Sequence, residues 1–158
     1  MILNYLQILQ DSLEKKLVLL EKLEQKSLEQ SALIKSESVD LSLIDLNMDE
    51  KAKLIDEVLV LDQGFESLYE KIREHLLPNK DKYKLQIQTI QSLIEQITQK
   101  STSVQVIEAR NKAQMDVVFS RQKRDVRTRK NAMSVAKDYY QNMNKVKYVS
   151  PQFMDHKK

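Results

Sequence analysis

The chain has 158 residues, the size of one domain, and its 26 Lys+Arg against 23 Asp+Glu leave a formal net charge of +3. One Gly, two Pro and no Cys exclude turn-rich strand architectures, glycine-rich phosphate loops, disulfides and thiolate chemistry, and leave the composition of long helices. The charge is uneven: residues 1–78 hold 9 Lys+Arg and 16 Asp+Glu and residues 79–158 hold 17 and 7, so the halves carry −7 and +10. Either the basic half seeks an outside polyanion, or the two halves attract each other within one bundle; the second needs no further partner.

In chain order, Leu6, Leu9, Leu13, Leu17 and Leu20 recur at steps of three and four and predict a first helix over about 2–34. The stretch from Lys35 to Asp40 loses the period, and residues 41–48 read as a short bridging piece. A second helix is expected over 49–77, with Asp49 and Glu50 suiting its positive end and Pro78 stopping it. Ile55, Val58, Phe65, Tyr69, Ile72 and Leu76 form its stripe, and Asp62 falls in an apolar slot. Gly64 reads as a point of close helix packing, with a hinge as the other reading.

From Tyr83 one seam runs through Ile87, Ile90, Ile94, Ile97, Ser101, Val104, Glu108, Asn111, Met115, Val118 and Gln122, averaging the 3.5-residue period of a coiled coil. A third helix over 80–129 follows. At 1.5 Å per residue it would be roughly 75 Å long against roughly 50 and 43 Å for the first two. Its end would therefore overhang, and burial is expected to fade after Val104. The fold class expected is all-α: an elongated antiparallel bundle of three long helices over residues 1–130. Residues 131–158 then form a short or flexible C-terminal helical segment that binds a partner. Met115 and Val118 on the overhang, with Met133, Tyr139, Tyr140, Met143, Tyr148 and Phe153 in the tail, are the candidate partner-binding residues, because Met and Tyr adapt to a partner's groove.

Enzymatic constellations fail one by one. His75 and His156 stand alone, no Glu-x-x-His pair exists for a di-iron site, and the carboxylates of the second helix fall on exposed faces, so no catalytic, metal or cofactor site is expected. The basic run from Arg121 to Lys130 is interrupted by Asp125 and lacks a nucleic-acid motif, so no nucleic acid is expected as partner. No segment reaches the roughly 20 apolar residues of a membrane span, and the opening MILNYLQILQDSLEKK has no basic leader, so a cytoplasmic protein is expected.

The stretch DEKAKLIDEVLVLDQGFESLYEKIREHL, residues 49–76, resembles the central signature of FlgN/FliT-type flagellar export chaperones, with the spacing of Asp62, Gly64 and Phe65 its most specific part. EARN at 108–111, Tyr139-Tyr140 and PQFMD at 151–155 agree in order, while the closing PQFMDHKK departs from enteric members. The resemblance implies a chaperone that binds the C-terminal helical region of hook-associated or filament-cap proteins. It would prevent their premature assembly and deliver them to the cytoplasmic domain of the export gate, with Tyr139, Tyr140 or Tyr148 touching that gate. A monomer or weak dimer is expected. The competing reading is a coiled-coil scaffold or self-assembling structural protein without a flagellar role.

Overall fold

The computed structural model describes residues 1–121 and 126–146, without the side chains of 126–132. The described residues are all-α: α1 (Ile2–Lys35), α2 (Leu41–Leu76), a 3-10 turn (Leu77–Asn79), α3 (Lys84–Arg121) and α4 (Val126–Asn144). Consecutive helices reverse direction. Helix α1 packs against both α2 and α3, and α4 packs on α2.

Each boundary has a local cause. Asp40 caps α2 by accepting from the backbone N–H groups of Ser42 (2.9 Å) and Leu43 (3.3 Å), so the helix starts eight residues earlier than residue 49. Residues 41–48 are thus helix and not a bridge, because Ile44, Asn47 and Met48 extend the buried stripe that continues through Lys51, Ile55 and Val58. Pro78 sits in the turn that ends α2, where the Asn79 side chain donates to the carbonyl of His75 at 2.7 Å. Residues 80–83, expected to open the third helix, continue the turn, and the helix starts at Lys84.

The seam of α1 runs Leu6, Leu9, Leu13, Lys16, Leu20, Leu23, Ser27, Gln30 and Ile34. Lys16 takes the slot expected for Leu17, which is half-buried, because its ammonium pairs with Asp62 at 2.6 Å and neutralises the one carboxylate on the α2 stripe. The α3 seam is as read from the sequence through Met115, but the expected fade after Val104 does not occur. Glu108, Asn111, Met115 and Phe119 are all buried, so the polar residues there are core. Nor does α3 overhang. With 38 residues it is about 57 Å long, beside about 51 Å for α1 and 54 Å for α2.

Helix α4 closes the far end of the bundle. Ala136, Tyr139 and Met143, on one stripe, belong to the hydrophobic core, so α4, which begins at Val126 where the third helix was expected to continue to 129, is a packed fourth helix.

Candidate functional site

Lys51 of α2 is fully buried and sits where all four helices meet. Its ammonium donates to both carboxylate oxygens of Glu108 on α3, at 2.7 and 2.9 Å, and to the side-chain carbonyl of Gln30 on α1. From α4 the Tyr139 ring lies 4.4 Å from the same nitrogen, a cation–π contact. Asn111 extends the network by donating to the carbonyl of Ser27 at 2.8 Å. These residues lie together because each helix seam carries one polar residue at the same level: Gln30, Lys51, Glu108 and, over them, the Tyr139 ring.

Burial pulls the Lys51 ammonium below the usual lysine range, while the charge and hydrogen bond of Glu108 pull the other way. Burial, and then the Glu108 charge, push the Tyr139 and Tyr140 phenols well above the usual tyrosine range. A lysine depressed by burial has the profile of a nucleophile, but Lys51 is 0% exposed and no substrate reaches it. The cluster brings side chains of all four helices together at one level, an arrangement suited to specifying which helices pair.

Beside it, α3 and α4 enclose a cleft of about 640 Å³. Met115, Phe119, Ala136 and Tyr140 line its interior, Met133 stands 46% exposed at its mouth, and Lys112, Asp116 and Lys137 supply its polar rim. Tyr140 meets Tyr139 edge-on at 5.1 Å and has the Lys112 ammonium 5.5 Å from its ring centroid. The cleft has an apolar floor between two helices and a polar rim to which Ser134, Gln141 and Asn144 add uncharged groups beside the two cations and one carboxylate.

The candidate residues from the sequence divide accordingly. Met115, Met133 and Tyr140 line the cleft, and Val118 is half-buried on α3. Tyr139 is fully buried and its hydroxyl donates to the Met143 sulfur at 3.8 Å, so both are core and not a free surface. Tyr148 and Phe153 lie outside the described residues. Gly64 is not at a close helix contact: it is exposed, and a Cβ there would meet no atom within 4 Å. Lys51, Gln30, Phe119 and Lys112 were missed. The signal for the first was a lysine and a glutamate both standing on apolar seams, at 51 and 108, which foretells a pair.

No family model, curated protein or solved structure matches the chain. The chemistry of the site therefore rests on its own geometry. Among the described residues no cluster of metal-ligating side chains forms, and no helix is long and apolar enough to cross a membrane.

Proposed function

We propose that the chain is a non-catalytic escort protein of the bacterial cytoplasm that holds an amphipathic helix of a client along the α3/α4 cleft. In its specific form it is a flagellar export chaperone of the FlgN/FliT kind, and the client helix is the C-terminal helical region of a hook-associated or filament-cap protein. The observation that carries the reading is the cleft. Its interior is Met, Phe and Tyr, which repack around a foreign helix at small cost, and its direction between two helices suits a helix laid alongside them. Lys112 and Lys137 against a single Asp116 favour a client helix with carboxylates flanking its apolar stripe. The likeness of residues 49–76 to the chaperone signature supplies the flagellar part.

In this reading the bound client cannot assemble early, and the loaded chaperone carries it to the cytoplasmic domain of the export gate. Tyr139 is closed in by Lys51 and Met143, which leaves Tyr140 and Tyr148 for gate contact. The test is titration calorimetry of the full chain against C-terminal peptides of a hook-associated and a filament-cap protein. One of them is expected to bind, and Met133→Glu to weaken it about tenfold or more with an unchanged melting curve. Absence of binding by both peptides, or an affinity indifferent to both Met133→Glu and Tyr140→Ala, rejects the proposal.

A further inference from the structure

Away from that cleft, α1 and α2 enclose a second groove of about 880 Å³, floored by Val18 and Leu19 of α1 and by Val60 and Leu61 of α2. An adjoining hollow continues it past Gly64 to Ile8 and Leu68. Ile8, Val18 and Val60 are 53%, 48% and 67% exposed, so the floor is apolar surface that no described residue covers. The rim is acidic. Asp11 and Glu14 on the α1 wall and Asp56 and Glu57 on the α2 wall stand against Lys15 and Lys22, an excess of two negative charges. Asp11 and Glu14 accept hydrogen bonds from Gln7 and Gln10 at 2.9 and 3.1 Å, and among the described residues none of the four carboxylates is in an ion pair. Gly64 adds an independent observation. It is the one glycine of the chain, it lies inside α2 with ordinary helical backbone, and the space beside it is open. A glycine there costs about 1 kcal/mol relative to alanine, and no described contact offsets that cost. An outside helix approaching the bare backbone does.

We propose that this groove docks a basic amphipathic helix of a second protein, at a site separate from the client cleft. The pairs Lys16–Asp62 and Lys26–Glu50, both at 2.6 Å, set the antiparallel α1 and α2 in register, so Val18 stands level with Val60 and Glu14 with Gly64. The apolar floor therefore lies between two acidic ends, with Asp56 and Glu57 of the α2 wall at one and Asp11 and Glu14 of the α1 wall at the other. Along the helix axes the ends are about nine residues apart, roughly 13 Å or about two and a half turns. A docked helix meets both when Lys or Arg residues stand that far apart on opposite flanks of its apolar stripe. The trough between two antiparallel helices is the shape that a third helix fills, and Gly64 leaves the backbone bare where that helix comes near. Charge selects the class of occupant. Nucleic acid or an anionic membrane would bring phosphates against the four carboxylates, and a second copy of the same face would set one net acidic surface against another.

Titration calorimetry of the full chain at physiological ionic strength reads the result with synthetic peptides of about 18 residues, and melting curves verify that each variant folds. The first peptide carries a Leu stripe at helical spacing flanked by Lys, the second has Glu in place of every Lys, and the third scrambles the order of the first. The Lys peptide is expected to bind with a dissociation constant of about 10 μM or tighter, and the other two about tenfold or more weakly than that. Asp56→Lys together with Glu57→Lys should weaken the Lys peptide about tenfold or more and raise the affinity for the Glu peptide. Gly64→Leu should weaken the Lys peptide without lowering the melting temperature, because the new side chain meets open space in the free protein. Met133→Lys, at the mouth of the client cleft, should leave that affinity within about threefold. No binding of the Lys peptide up to about millimolar concentration overturns the proposal, as does equal affinity for the Glu or the scrambled peptide. Binding indifferent to the charge reversal or to Gly64→Leu overturns it too. So does binding lost with Met133→Lys, which would put the peptide in the client cleft, and so does a chain that self-associates through the groove and excludes the peptide. The escort reading is separable: client binding without Lys-peptide binding rejects only the groove, and the reverse rejects only the escort function.

Discussion

Lys51 holds one side chain from each of the other three helices, so shortening it strands Glu108 as a charge in a site 4% exposed. Breaking a buried pair from one side costs about 3–5 kcal/mol, whereas replacing both partners by apolar residues is often neutral. Lys51→Met is therefore expected to lower unfolding free energy by about that amount, and Lys51→Met with Glu108→Leu to recover most of it, as read by urea denaturation. Tyr139 makes the stability pH-dependent. Its folded phenol is held above the usual value by burial and by Glu108, so above about pH 10 the unfolded state releases a proton that the native state keeps. Stability conferred by the neutral phenol is present below that pH and is lost as pH rises. Lys51, depressed in the folded state, acts in the opposite direction below its unfolded value. Tyr139→Phe should move the alkaline unfolding midpoint upward, followed by circular dichroism and tyrosinate absorbance; an unmoved midpoint would show that Tyr139 does not govern it. At Gly64 the open space reverses the expectation from sequence: Gly64→Ala should raise stability by up to about 1 kcal/mol, where a packed glycine would lower it.

At the scale of elements, α4 is where sequence and structure part. A tail rich in Tyr and Met reads as a partner segment, and Tyr140 and Met133 do face the cleft. Yet on the same helix Ala136, Tyr139 and Met143 complete the core over Lys51. Deleting residues 131–158 should accordingly cost about 3 kcal/mol or more, the cost of losing a buried aromatic with its neighbours. A truncated chain that melts with the parent would put α4 outside the cooperative core. The ambiguity was physical: an amphipathic helix has the same stripe whether it lies on its own bundle or on a partner. The early start of α2 was missed for a different reason. Asp40 was legible as a capping residue type, but Ser and Asp crowding 36–40 masked which of them ended one helix and which began the next.

For the whole molecule, three helices of nearly equal length side by side make a particle about 55–60 Å long, and small-angle scattering should give an elongated profile of at least that dimension. The sequence by itself determined the all-α class, the turn at Pro78, the leucine positions of the α1 seam apart from Leu17, the α2 stripe from Ile55 onward and the α3 seam through Met115, because propensity, proline geometry and a 3.5-residue period act over a few neighbouring residues. It could not state that Lys51 would find Glu108 across 57 residues of chain, nor that Gln30 would meet Asn111 across 81. Those pairings depend on which helices become neighbours and at what level. Only tertiary packing decided that, by bringing the polar residues of separate seams to one height where burying any of them alone would be too costly. The cleft has the same origin: a stripe in sequence states that a face is apolar, and only the packing of α4 on α2, across the cleft from α3, states which part of that face stays open.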